Sequence, residues 1–231
     1  MMKGDRIEGA DGPHIKVRRY SGSARANHWV TAISFVALWL SGLALFHPSL
    51  FWLSALFGGA ENMRWLHPWF GVVLAVSFFG LFIRFLSANL PERGDGTWLI
   101  SVRAVLSGHE EYLPEAGKYN AGQKAVFWLM SLLVPFLLIT GCILWDQGRS
   151  FIETALGFTF SIDAQRYAAL LHALAAIAAI VIWIVHVYAG IWVRGTIGAM
   201  TKGSVSGGWA WRHHRKWLRQ MVHGGETRRH S

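Results

Sequence analysis

Two histidines, His172 and His186, interrupt the apolar run YAALLHALAAIAAIVIWIVHVYAGIWV from Tyr167 to Val193, which contains no Asp, Glu, Lys or Arg. They are fourteen residues apart. At ~100° and ~1.5 Å per residue, a helix places them only ~40° apart around its axis and ~21 Å apart along it. A bilayer span needs ~20 residues and crosses a hydrocarbon core of ~30 Å, so one helix presents an imidazole near each membrane surface on a single face. Polar side chains at such depths are costly and, as a rule, functional. Two further histidines open apolar runs, His28 in the first and His67 in the second. Neutral imidazole is a haem axial ligand, and two imidazoles fill both axial positions of one iron. Two haems stacked across the membrane would explain histidines so placed.

The elements that must carry these side chains follow from hydropathy. The chain of 231 residues is 53% apolar and only 15% charged, with the apolar residues gathered in long runs. The fold class is all-α, an integral membrane four-helix bundle. The helices are expected at about 27–46, 63–86, 124–145 and 167–193, within a domain spanning 27–200. Residues 1–26 read as an irregular polar arm and 201–231 as a basic tail. His47-Pro48 ends the first helix, because proline disfavours helix in the residue before it. The stretch SLFWLSALFGGA (49–60) is too short to span and reads as an interfacial helix. Helical character is expected at 97–107, and a short apolar stretch, FIETALGFTF, lies in the connection 146–166. Pro135 falls inside the third span, where neighbouring helices can cover the carbonyl it frees. The first apolar run reads as a retained helix and not as a cleaved signal peptide.

Charge sets the expected orientation. Of 22 Lys and Arg residues, 19 fall in the N-terminal arm, the connection between helices two and three with its borders, and the C-terminal segment; only Arg64, Arg149 and Arg166 fall elsewhere. Positive charge marks the cytoplasm, so both termini are expected there. The net charge of +9 therefore points to a membrane surface and not to nucleic acid. The thirteen tryptophans cluster near predicted helix ends, as interfacial belts do. This topology pairs His67 with His172 on the outer side and His28 with His186 on the inner side.

His47, at the outer end of the first helix, is the rival of His67 for the outer site. His14, His109, His213, His214, His223 and His230 lie in polar segments and are expected to be solvated. Cys142, the only cysteine, reads as a small apolar helix residue and excludes an intrachain disulfide. No cluster of three ligands at zinc spacing, phosphate loop or nucleophile–base arrangement stands out. Small residues on the fourth helix (Ala168, Ala175, Ala179, Gly190 and others) suit close packing or room for porphyrin. KYNAGQK (118–124) reads as a helix start with Asn120 as its N-cap, from which Asn120 and Gln123 could also reach a carbonyl near the inner haem.

The stretches RANHW (25–29), LHPWFG (66–71), GKYNAGQKAVFW (117–128), LLHALAA (170–176), IVHVYAGIWVRGTIGAM (184–200) and WAWRHH (209–214) together resemble the cytochrome b (gamma) subunit of membrane-bound, quinone-linked formate dehydrogenase. The resemblance covers nearly all the chain. It implies a bundle holding two b haems, one on His67 and His172 and one on His28 and His186. It implies a quinone site carried by Asn120, Gly122 and Gln123 beside His186, with menaquinone or ubiquinone as exchangeable substrate. It further implies an iron–sulfur (beta) subunit delivering electrons, a molybdenum- or tungsten-containing (alpha) subunit that oxidises formate, and a bacterial inner membrane location. The alternatives are a cytochrome b subunit of a hydrogenase or another quinone-linked oxidoreductase, and a haem-free membrane anchor.

Overall fold

The computed structural model describes residues 5–8, 15–101, 103, 104, 107 and 113–227, without the side chains of 6, 8 and 224–227. The chain begins with strands β1 (Arg6–Glu8) and β2 (Lys16–Arg18), then helix α1 (Gly22–Phe46), a 3-10 helix (Pro48–Phe57) and α2 (Ala60–Phe85). A 3-10 turn (Leu86–Asn89) leads to α3 (Asp95–Ile100), α4 (Ala121–Leu144), α5 (Asp146–Leu156) and α6 (Ile162–Trp192). The chain closes with α7 (Thr196–Thr201), strand β3 (Ser204–Ser206), α8 (Gly207–His213) and α9 (Arg215–Thr227).

Helices α1, α2, α4 and α6 are each long and apolar enough to cross a membrane. They start three to five residues before the apolar runs suggest. Hydropathy marks only the stretch that lipid can accept, whereas a helix continues until a cap ends it. Ser21 Oγ accepts from Ala24 N at 3.3 Å at the head of α1, and Ser161 Oγ accepts from Ala164 N at 3.1 Å at the head of α6. Helix α4 runs on through Pro135.

The chain divides into two compact units. One comprises 27–82 and 129–185, the central parts of the four long helices. Phe35, Leu74, Val134 and Ala179, one from each long helix, form its buried layer, with Leu38, Phe78, Met130, Leu137 and Trp183 packed against it. Trp183 lies 5.2 Å from Trp39 and 6.1 Å from Phe35, ring centre to ring centre. The 3-10 helix packs through Leu53 against Ala44 of α1 and Met63 of α2. Outward, Val76, Phe79, Leu132 and Ile139 are exposed around this bundle. A continuous apolar exterior of this kind is stable in lipid, where each helix satisfies its own backbone. The chain is thus a multi-pass membrane protein.

The other unit comprises 1–26, 83–128 and 186–231. The chain is helical as expected, but part of the arm expected to be irregular pairs in a small sheet. β2 is the middle strand of an antiparallel sheet, with Ile7 opposite Val17 and Val17 opposite Val205. Val17 is fully buried. Gly203 N–C turns with φ +86°, and a Cβ there would stand 2.8 Å from the Tyr20 carbonyl oxygen, so only glycine fits beside the strand. That same carbonyl-side approach lets Arg19 N and Tyr20 N donate to Gly203 O at 2.9 and 3.1 Å. The sheet joins segments almost two hundred residues apart and three residues long, which no local periodicity can announce. The described part of the basic tail, 201–227, is also folded. Arg219 of α9 holds Glu115 through two bonds of 2.9 Å, Arg215 lies 3.6 Å from Glu115, and Lys216 pairs with Glu92.

Candidate functional site

His67, eighth residue of α2, and His172, in the first third of α6, face each other with ring centres 6.4 Å apart and ring planes at 67°. A metal–imidazole bond of about 2.0–2.1 Å, with about 1.2 Å more to the ring centre, puts two axial imidazoles on one metal about 6.4 Å apart. The pair therefore has the separation that a shared iron requires.

Both rings are held from behind. His67 Nδ1 lies 2.7 Å from Ser41 Oγ of α1, and His172 Nδ1 lies 2.8 Å from Thr140 Oγ1 of α4. Each hydroxyl residue is followed by a glycine against the same ring. A Cβ on Gly42 would lie 3.6 Å from His67 Cε1, and one on Gly141 would lie 3.3 Å from His172 Cε1. With Nδ1 engaged, Nε2 of each imidazole is the nitrogen left to bind a metal. The donor set, its spacing and its flanking glycines fit a bis-histidine haem. Ser41 and Thr140, behind His67 and His172, were not among the residues that sequence reasoning singled out. The signal available was the repeated hydroxyl–glycine pair, Ser41-Gly42 and Thr140-Gly141, one in each partner span.

His47 has other work. It caps the 3-10 helix, with Nδ1 accepting from Ser49 N at 3.2 Å and lying 2.7 Å from Ser49 Oγ. It is exposed, and the imidazole that faces His172 belongs to His67.

His28 lies in the second turn of α1 and His186 in the last third of α6. They fall in different compact units, and the structure describes each separately.

Asn120, Gly122 and Gln123 come together at the head of α4. Asn120 Oδ1 accepts from Gln123 N at 2.9 Å, and Gln123 Oε1 accepts from Asn120 N at 3.1 Å. This is a capping box built from Asn and Gln. It uses both amide oxygens and leaves the Nδ2 and Nε2 donors for another acceptor. Gly122 carries the indole of Trp98, which a Cβ would meet at 3.0 Å. Beside it, Lys124 Nζ lies 3.0 Å from Asp95 Oδ2 and 3.7 Å from Glu92 Oε1.

The expectation that His214 is solvated is overturned. His214 is 1% exposed and is enclosed by Trp209 and Trp217. Its Nδ1 lies 2.8 Å from Gly117 O, and Arg19 Nη2 lies 3.4 Å from its Nε2. The sequence places His214 among Arg212, His213 and Arg215, where a solvated basic face is the natural reading; only the folding of the loop carbonyl and Arg19 around it reveals otherwise. Burial, and then the Arg19 guanidinium, hold its pKa well below the ordinary histidine value. In the same cluster Lys118 Nζ pairs with Asp5 Oδ1 at 2.6 Å, both buried, and Trp217 Nε1 donates to Asp5 Oδ2 at 3.1 Å. Arg19 also donates to the Lys118 carbonyl and stacks on Tyr119 and Trp217 at 5.5 and 4.9 Å. His213 is half-buried against Trp209, and His223 is exposed. His14, His109 and His230 lie outside the described residues.

Four membrane-length helices, two of them carrying histidines that face each other, define a helical membrane protein. The sequence profile described as prokaryotic cytochrome b561 matches residues 19–203, and the chain belongs to that family. It is 40% identical over 203 residues to the formate dehydrogenase cytochrome b556(fdo) subunit of Escherichia coli K12, covering 88% of this chain and 92% of that protein. It is 39% identical over 197 residues to the nitrate-inducible formate dehydrogenase cytochrome b556(Fdn) subunit of the same organism, covering 85% and 88%. The formate dehydrogenase cytochrome b556 subunit of Haemophilus influenzae Rd is 35% identical over 207 residues, covering 90% and 84%.

Proposed function

We propose that this chain is the dihaem membrane subunit of a quinone-linked formate dehydrogenase, anchoring the complex and conducting electrons from an iron–sulfur subunit to quinone. The facing pair His67 and His172, at 6.4 Å with both Nδ1 atoms engaged, carries the reading. The similarity to three formate dehydrogenase cytochrome b556 subunits over most of the chain supports the partner complex. In it a second subunit carries the iron–sulfur clusters and a third, with molybdenum or tungsten, oxidises formate. When bound, the two haems supply one-electron redox chemistry.

The residues of this chain do the rest. His67 and His172 hold one haem on the outer side. His28 and His186 hold the other on the inner side, a pairing supported by the depths that the positive-inside topology assigns them and by the family resemblance. The excess of Lys and Arg in the 1–26, 83–128 and 186–231 segments supports a cytoplasmic location for both termini, in a bacterial inner membrane. Asn120 and Gln123 bind a quinone carbonyl through the amide donors that their capping box leaves over, and Gly122 belongs to the same site, where it seats the Trp98 indole. Protons for quinone reduction come from the same cytoplasmic side.

A reduced-minus-oxidised spectrum and a haem count per chain test this function. Two b haems are expected in the wild-type complex and one in His172→Ala, with His47→Ala keeping both. Absence of b-type bands, or retention of both haems in His172→Ala, refutes it.

A further inference from the structure

We infer that Ser41 and Thr140 are positioning residues that fix the tautomer and the basicity of His67 and His172. The inference rests on the reading of that histidine pair as axial ligands.

A hydroxyl has one proton to give. Ser41 Oγ lies 2.7 Å from the Ala37 carbonyl oxygen and 3.2 Å from that of Leu38, both of its own helix. Thr140 Oγ1 lies 2.8 Å from the Phe136 carbonyl oxygen and 3.2 Å from that of Leu137. Those carbonyls cannot donate, so each hydroxyl proton goes to its helix backbone. The contacts of 2.7 and 2.8 Å to the imidazoles can then be satisfied in only one sense: Nδ1–H donates to the hydroxyl oxygen. Both rings are thereby set as the Nδ1–H tautomer, assigned from the hydrogen-bond network, with an unprotonated Nε2 turned to the metal position. The chain carbonyl–hydroxyl–imidazole also polarises each ring, raising its strength as a donor to iron and favouring the oxidised haem.

The two devices match although nothing local links them. Ser41-Gly42 on α1 serves a histidine of α2, and Thr140-Gly141 on α4 serves a histidine of α6. In each, the hydroxyl takes the back of the ring and the glycine leaves its edge uncrowded.

The test uses the purified complex carrying Ser41→Ala, Thr140→Val, and the hydroxyl-keeping controls Ser41→Thr and Thr140→Ser. Haem content, redox titration of each haem and low-spin EPR of the oxidised form are measured. Loss of one ordinary hydrogen bond is expected to shift the reduction equilibrium of the haem at His67 and His172 about threefold to tenfold toward the reduced form, where tenfold is 59 mV for one electron. The other haem does not move, and the controls return to wild type. The EPR signal of that haem alone changes, because its imidazole planes are no longer held at their mutual angle. Loss of that single haem in Ser41→Ala, restored by Ser41→Thr, also supports the assignment, since such partners are worth 10–100-fold in metal affinity. Unchanged potentials in both variants, equal shifts of both haems, or controls that behave like the deletions overturn it. His172→Ala separates the two levels: retention of both haems there refutes the ligand reading itself, whereas loss of one haem there, with inert hydroxyl variants, refutes only this inference.

Discussion

The buried imidazole of His214 makes the stability of its unit depend on pH. In the fold its Nδ1–H donates to the Gly117 carbonyl, and its Nε2 accepts from the Arg19 guanidinium. A second proton would have to sit on Nε2, facing that guanidinium. Lys118, paired with Asp5, is the next cation in the cluster, and His213 adds to the opposition. The folded pKa is thus well below 6.5, while the opened chain titrates near 6.5. The sign follows: below about 6.5 the opened state binds a proton that the folded state refuses, so stability falls as pH falls, and the loss ends only at the folded pKa. One such proton costs about 1.4 kcal/mol between pH 7.5 and 5.5. Hydrogen exchange at the amides of β2 and β3, corrected for intrinsic rates, should show that loss as about a tenfold drop in protection. His214→Gln keeps a donor for Gly117 and an acceptor for Arg19 but cannot titrate, so its protection should stay flat over the same range. Parallel profiles for wild type and His214→Gln would refute the reasoning.

Two further outcomes follow from neighbouring contacts. Asp5→Ala strands the buried Lys118 ammonium and the Trp217 N–H, and should cost about 3–5 kcal/mol in the opening free energy of the sheet. Adding Lys118→Met should recover most of that loss, and a double variant as weak as the single one would show that the pair is not the cause. Asn120→Asp keeps an N-cap oxygen but removes the Nδ2 donor, so α4 should hold its stability while quinone affinity drops, whereas Asn120→Ala should lose both, with about 0.5–2 kcal/mol from the cap. Equal quinone binding in Asn120→Asp and wild type, measured by inhibitor titration of haem reoxidation, would remove Asn120 from the quinone site.

The four spans were legible because lipid imposes a rule that acts residue by residue: a helix that crosses must be apolar along ~20 positions. The expectation that His172 meets a histidine at the outer end of another span rested on the same rule, since topology assigns each span end a depth, but it left His47 and His67 both open. Asn120 as a cap could be read from its residue type a few positions ahead of the apolar run that starts at Ala125. The true helix starts at Gly22 and Ile162 could not, because the caps at Ser21 and Ser161 lie in polar sequence where hydropathy is silent. His214 looked solvated because its neighbours in sequence are charged, and its neighbours in space, Gly117 and Arg19, are about one hundred and two hundred residues away.

The sequence by itself determined the number of spans and the segments that carry positive charge. These follow from period and composition, which are local. Only the tertiary structure decided that arm and tail share a sheet, that His67 and not His47 faces His172, and that Ser41 and Thr140 stand behind the two rings. Each of these depends on which atoms of distant segments come within about 3 Å, the range over which a hydrogen bond forms.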